Sequence, residues 1–196
     1  MRKRAKIGSL GLFCAALILA AGCGLFGTRT PQDPVTVRST FEPPTTPESV
    51  IRNLAFSIEE KNSNNYMKCL SPSNFVYVPD SKSQSLYGTI FQNWNLNSER
   101  FYYENLIAQT NSTASSNLFL SDTLLNQITP DSAVYTAEYI VVYQHNKTNI
   151  PKSAVGNTRI SLKADESNFY YISKWEDFRR NDSDFTWSEL KANFSN

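Results

Sequence analysis

The chain has 196 residues, of which 19 are basic and 18 acidic, with one histidine and three cysteines. This near balance of charge excludes the strongly basic surface with which proteins bind nucleic-acid phosphates. Five of the seven glycines lie at or before Gly27, so the rest of the chain has no glycine-rich phosphate loop.

The first 22 residues have the composition of a secretory signal. Arg2, Lys3, Arg4 and Lys6 are basic, and no acidic residue precedes Asp33. The apolar run over residues 7–21 is about 15 residues long, whereas a helix needs ~20 residues to span a bilayer. A basic head, a short apolar segment and small residues at its end are typical of a cleavable export signal.

The end of this segment reads Leu-Ala-Ala-Gly-Cys over residues 19–23, which resembles the lipobox of bacterial lipoproteins. The resemblance implies cleavage between Gly22 and Cys23, then a diacylglycerol on the Cys23 thiol and a fatty acid such as palmitate on its amino group. Two or more acyl chains hold a protein stably on a membrane. Because residue 24 is glycine and not aspartate, the resemblance also implies the outer rather than the inner membrane. The alternative is an ordinary signal cut nearby, with Cys23 incidental.

The segment after Cys23 is rich in proline and threonine. Residues 24–47 contain five of the nine prolines, so we interpret residues 23–46 as a stiff, extended tether. Residues 47–196 then form a single globular domain. Cleavage leaves 15 basic residues (19 less the four of the signal) against 18 acidic ones, which provides no polybasic patch for anionic lipid.

The domain is predicted to open with helices. Thr46 is placed to cap a helix that begins at Pro47. An apolar stripe at helical spacing follows, formed by Val50, Ile51, Leu54, Ala55 and Ile58. Residues 62–65 predict a break, and residues 66–70 a short second helix. Cys69 lies in this apolar stretch and is predicted to be a buried, unreactive thiol without a disulfide partner.

One strand and more helix come next. Residues 75–78 predict a short strand, which Pro79 ends. The region from residue 84 to 109 has helical spacing, with a break near residues 95–98 and Ser98 as a candidate N-cap.

The second half of the chain is predicted to consist of strands. They cover residues 118–128, 134–145, 159–164 and 169–175. Residues 134–145 alternate most clearly, with tyrosines on one face and polar side chains on the other. Thr186 and Glu189 have the spacing of a capping box that opens a short closing helix.

Helices that are segregated from strands indicate an α+β fold, with N-terminal helices packed on a curved antiparallel sheet. The element order resembles that of the nuclear transport factor two-like (SnoaL-like) superfamily, a cystatin-like cone. Two sequence features also resemble this superfamily: the opening Pro-Glu-x-Val-Ile-x-x-Leu from Pro47 and the aromatic strand at residues 170–172. The resemblance implies a cone whose mouth can hold a small apolar ligand. Enzymes of the superfamily place acids, tyrosines or histidines inside it, and other members are binding modules.

No catalytic set emerges from the residues themselves. His145 is the single histidine, so a two-histidine metal site is excluded, and we predict no metal or cofactor. We predict that His145 is a solvated residue at the edge of a loop. A carboxylate inside an apolar cone could act as an acid or base. We nevertheless interpret Asp80, Glu104, Glu138 and Asp177 as surface or turn residues, with Glu138 facing outward.

Six aromatic residues are candidates for the lining of a cavity: Trp94, Tyr135, Tyr139, Tyr143, Tyr170 and Trp175. The alternative, which we favour, is that they fill the interior as core, because aromatic side chains bury large areas.

Three functions stay open from the sequence. The first is a noncatalytic envelope lipoprotein that binds a protein partner or a small apolar ligand. The second is a lipid-anchored enzyme of the cone fold, such as a hydratase, isomerase or hydrolase. The third is a structural assembly component that forms a homodimer through its open sheet.

Overall fold

A computed structural model describes residues 39–195. The predicted signal, the cleavage site at Gly22 and Cys23, and most of the tether therefore lie outside the described residues. None of the helices within residues 39–195 has the length and apolar character needed to cross a bilayer.

The described part of the chain contains six helices and five strands. The helices are α1 (Pro47–Glu59), α2 (Ser63–Lys68), α3 (Ser81–Leu86), α4 (Gly88–Phe91), α5 (Leu96–Ala108) and α6 (Trp187–Phe194). The strands are β1 (Val76–Val78), β2 (Asn117–Thr129), β3 (Ser132–Val142), β4 (Ser153–Ala164) and β5 (Tyr170–Phe178).

Helix α1 begins as its sequence predicts. The Thr46 hydroxyl accepts a hydrogen bond from the Ser49 amide, the Ser49 hydroxyl accepts one from the Thr46 amide, and Pro47 occupies the first turn. These bonds satisfy amides that have no partner within the helix. The predicted stripe is buried at Val50, Ile51, Leu54 and Ile58, so α1 packs its apolar face on the sheet.

Two predicted helix boundaries were wrong, and asparagine is the reason in both cases. Helix α2 begins at Ser63 rather than Tyr66, because the Asn62 side chain accepts a hydrogen bond from the Asn65 amide and caps it. Helix α5 is capped by Asn95 and not by Ser98. Asparagine ranks with serine as an N-cap, so a run of such residues leaves the cap position ambiguous.

The sheet has the strand order β1-β5-β4-β3-β2. Strands β2 to β5 form an antiparallel meander, and the short β1 adds to β5 in parallel. Strand β3 alternates as predicted, with Tyr135, Ala137, Tyr139 and Val141 buried toward the helices. Strand β5 continues beyond its predicted end at Trp175 to Phe178, which brings Asp177 into the strand.

The outer face of the sheet, which the helices do not cover, carries ion pairs and exposed apolar groups. The Arg159 guanidinium donates two hydrogen bonds to the Glu176 carboxylate, at 2.6 and 2.8 Å, and Lys174 donates a third at 2.9 Å. These partners, Arg159 foremost, lower the pKa of Glu176 to about 2.

We expect Glu176→Gln to lower the free energy of unfolding by about 1 kcal/mol at neutral pH, since its partner Arg159 is half-exposed and the pair is screened by solvent. A carboxyl whose pKa is depressed by folding stabilises the protein above its ordinary value of 4.5 and loses that contribution as the pH falls toward about 2. Urea unfolding of wild type and variant between neutral pH and pH 2 checks this. The difference in the free energy of unfolding between wild type and Glu176→Gln should vanish toward pH 2. A difference that stays constant with pH would contradict the pairing of Glu176 with Arg159.

Candidate functional site

The interior of the cone, between the helices and the inner face of the sheet, is filled by α6. Trp187, Leu190 and Phe194 of this helix are buried, as the helical spacing of an apolar stripe requires. Lys191 lies on the same side of α6 and is 0% exposed. A lysine without solvent contact needs compensating partners, because burial of an unpaired charge is strongly unfavourable.

The compensating charge is Glu99, which is also 0% exposed and comes from the first turn of α5. The Lys191 ammonium donates to Glu99 Oε1. Two further donors hold the same carboxylate: the Tyr66 hydroxyl at 2.6 Å and the Trp94 indole nitrogen at 2.7 Å. Glu99 thus has a fixed position and three hydrogen bonds.

Four aromatic rings surround the ammonium group of Lys191. Its Nζ lies 4.3 Å from the ring centroid of Tyr77, 4.6 Å from Trp175, 4.8 Å from Tyr102 and 5.7 Å from Trp94. We call these four rings and Glu99 the ammonium cage. Ring faces attract a cation most strongly when water is excluded. Burial lowers the pKa of Lys191, and the charge of Glu99 opposes that shift.

A second buried carboxylate, Asp177, lies where α6 begins. The prediction that Asp177 is a surface or turn residue was wrong, because the last strand extends through it and α6 packs over it. It accepts hydrogen bonds from the Tyr139 hydroxyl at 2.7 Å, from the Ser188 amide at 2.7 Å and from the Ser188 hydroxyl at 2.5 Å. The Tyr139 hydroxyl in turn accepts from the Trp187 amide at 2.8 Å. Burial raises the pKa of Asp177, and these hydrogen bonds oppose it. Both amides belong to the buried first turn of α6, where backbone N–H groups have no partner within the helix, so Asp177 anchors the start of α6.

Asp80 is the third buried carboxylate, and it joins α3 to the chain around α6. It caps α3 through the Ser83 amide and accepts from the Thr186 hydroxyl at 2.7 Å and from Arg179 at 3.1 Å. Burial alone would raise the pKa of Asp80, but hydrogen bonds from Ser83 and Thr186 and the charge of Arg179 hold it below its ordinary value. Asp80 therefore acts as a structural helix cap.

The structure places all six predicted aromatic residues in the interior, none more than 9% exposed. Trp94 and Trp175 belong to the ammonium cage, and Tyr139 belongs to the anchor of α6. Tyr143 packs edge-on against Tyr103, with ring centroids 6.3 Å apart. Tyr170 donates to the Pro130 carbonyl at 2.7 Å, and Tyr135 lies on the buried face of β3.

An open groove of about 780 Å³ lies elsewhere, on the surface. It runs between the chain that leads into α1, helix α2, the start of α5 and the start of β5. Its apolar lining comes from Phe41, Pro44, Met67, Leu70, Pro72, Leu96, Phe169 and Tyr171.

The other sequence candidates divide between the interior and the surface. The prediction that His145 is solvated was wrong: it is 3% exposed, because Phe194 of α6 packs on its ring at 4.9 Å. Cys69 is a free, buried thiol as predicted, and burial raises its pKa. Glu138 faces outward as predicted and pairs with Arg180 at 2.9 Å.

The central pair, Lys191 and Glu99, was missed from the sequence. Lys191 stands four residues after Trp187 and three before Phe194, and Glu99 stands three before Tyr102 and four before Tyr103. Each charge therefore falls on the apolar stripe of its own helix. That position was the available signal, since a surface charge belongs on the opposite face.

Within residues 39–195, no group of three or more His, Cys, Asp or Glu side chains is arranged to hold a metal ion.

The sequence matches no protein-family model, and no curated protein matches it. Solved structures do match its fold. An NTF2-like protein from Cytophaga hutchinsonii aligns with a TM-score of 0.50 and 8% identity, over 67% of this chain and 93% of that chain. A candidate scytalone dehydratase from Novosphingobium aromaticivorans aligns with a TM-score of 0.51 and 7% identity, over 66% and 78%.

A candidate calcium/calmodulin-dependent protein kinase II association domain from Xanthomonas campestris aligns with a TM-score of 0.51 and 10% identity, over 69% and 86%. One of these three proteins is described as an enzyme and another as an association domain, so the likeness carries no single activity. It shows the architecture: the described part of this chain is an α+β domain with the cone-shaped fold of nuclear transport factor 2-like proteins.

Proposed function

We propose that this protein is a noncatalytic lipoprotein of the bacterial envelope that acts by binding a protein partner at its outer surface. One observation carries the proposal: the buried carboxylates of the cone are already paired with other side chains of the same chain. Glu99 is paired with Lys191, Asp177 with Tyr139 and Ser188, and Asp80 with Arg179.

A catalytic acid or base must reach a substrate within hydrogen-bond distance. In this cone α6 takes the place that a substrate would need, and the titratable groups contact one another. Paired acids with no room for a reactant fit a structural network better than a hydratase, isomerase or hydrolase site.

The proposal predicts that the cone carries no small ligand. We would export residues 36–196 without the anchor and compare native with denaturing mass spectra. The expected native mass is that of the bare chain. Additional mass that disappears on denaturation would contradict the filled interior and would favour a binding or catalytic cone.

The anchor predicts where the protein is found. We expect the full chain to fractionate with the outer membrane and to incorporate labelled palmitate, because two or more acyl chains hold stably to a bilayer. Cys23→Ser should remove the label and release the domain from the membrane fraction. Cys69→Ser is the matched control and should leave both unchanged. A label that persists in the Cys23 variant would contradict lipidation at this residue.

A second candidate, an assembly component, is favoured by the outer face of the sheet. Phe119, Ile140 and Val155 lie side by side across β2, β3 and β4, and Phe119 and Ile140 are 56% and 43% exposed. If this row joins two copies, light scattering should give the mass of a dimer for wild type and the mass of a monomer for Ile140→Lys. Phe101→Lys, on the exposed face of α5 away from the sheet, is the control. A monomer in every case would favour the first proposal.

A further inference from the structure

The ammonium cage has the chemistry of a binding site rather than of ordinary core. Apolar interiors are usually filled by aliphatic and aromatic groups, whereas this one encloses an ion pair among four rings. Electron-rich ring faces with a carboxylate at one side are the arrangement by which proteins recognise organic ammonium ions. The cage walls come from Tyr77 on β1, Trp94 before α5, Tyr102 on α5 and Trp175 on β5.

The walls of the cage are held in place without the Lys191 side chain. Helix α6 supports three of the rings through other residues: the Ser188 hydroxyl is hydrogen-bonded to Tyr77 at 2.8 Å, the Trp187 indole donates to Tyr102 at 2.9 Å, and the Trp187 ring packs 4.7 Å from that of Trp175. Glu99 keeps two of its three hydrogen bonds, from Tyr66 and Trp94, independently of that helix. The two ring pairs Tyr77–Trp94 and Tyr77–Trp175 pack with centroids 5.9 and 6.2 Å apart, and Trp94–Tyr102 at 6.3 Å. Lys191 is thus the occupant of the cage and not one of its walls.

We infer that the cage is a binding site for a primary alkylammonium group, and that in this structure the chain occupies it with its own Lys191. This inference does not depend on an outer-surface partner. It assigns the cone interior a ligand class: a short, unbranched carbon chain that ends in a charged primary amine.

Shortening Lys191 to alanine defines the matching ligand. The substitution removes Cγ, Cδ, Cε and Nζ, which are the heavy atoms of n-propylammonium. The vacated space is enclosed, and its closed end holds the Glu99 carboxylate. A ligand that binds only the folded state raises stability with its concentration. At a concentration about 100 times Kd, the unfolding midpoint of Lys191→Ala should rise by roughly 5–10 °C.

Three comparisons separate a built site from general effects of amines. 1-Propanol has the same shape without the charge and should produce a much smaller shift. Wild type should not respond, because its cage is full. Lys147→Ala is the matched lysine variant: Lys147 lies 4.3 Å from the single ring of Phe194 and is only partly buried, so its removal should create no amine response.

If Lys191→Ala does not fold by itself, the same inference predicts that it folds when propylammonium is added. The near-UV circular dichroism of the buried aromatic groups measures this folding. The inference is overturned if propylammonium restores neither folding nor stability, or if propanol and propylammonium act equally. The bare native mass expected for wild type under the proposed function is unaffected by either result, so the two proposals can fail separately.

Discussion

Lys191→Met lowers the free energy of unfolding by about 3–5 kcal/mol, the loss expected when one partner of a buried ion pair is removed. Methionine fills nearly the same volume, so the effect is not that of a cavity. It arises because the Glu99 carboxylate stays buried among aromatic rings without its cation. Urea unfolding at neutral pH measures the loss.

The partner substitution provides the internal test of this result. Glu99→Gln with Lys191→Met should regain at least about 2 kcal/mol relative to Lys191→Met alone, since removing both charges of a buried pair is often neutral. The matched surface pair is Arg52–Glu42, at 2.8 Å with half-exposed side chains. Arg52→Met should cost less than about 1 kcal/mol. Equal losses at Lys191 and Arg52 would contradict the burial of the pair.

Gly156→Ala lowers the free energy of unfolding by about 3 kcal/mol, because this glycine makes room for the anchor of α6. A methyl group at Gly156 would lie 2.6 Å from the Tyr139 hydroxyl and 2.7 Å from the Phe178 carbonyl. Neither atom can move away easily, because the Phe178 carbonyl belongs to the backbone and the Tyr139 hydroxyl is hydrogen-bonded to Asp177 and to the Trp187 amide.

The matched control is the other glycine of the described domain, Gly88 at the start of α4. A methyl group there would meet nothing closer than 3.7 Å. Gly88→Ala should therefore change stability by less than about 1 kcal/mol, in the stabilising direction, because alanine has less freedom in the unfolded chain. Thermal or urea unfolding of both variants checks the contrast. A loss at Gly156 no larger than the change at Gly88 would show that the sheet adjusts.

Local patterns determined most of the secondary structure. The N-cap at Thr46, the capping box at Thr186 and the alternation along β3 were predicted correctly, because each depends on residues that are neighbours in the chain. The errors at Asn62 and Asn95 have a local cause as well: several residues in each run can cap a helix, and only the folded backbone selects one.

The sequence by itself determined the segregation of helices from strands, the apolar faces and the burial of Cys69. Only the tertiary structure decided what fills the cone. The closing helix is recognisable from its capping box, but its insertion depends on Tyr139 and Gly156, which are distant from it in the chain, and on Asp177 in the strand before it. Likewise, Lys191 and Glu99 are 92 positions apart. A charge on an apolar stripe can be identified from spacing, whereas its partner is chosen by packing between elements.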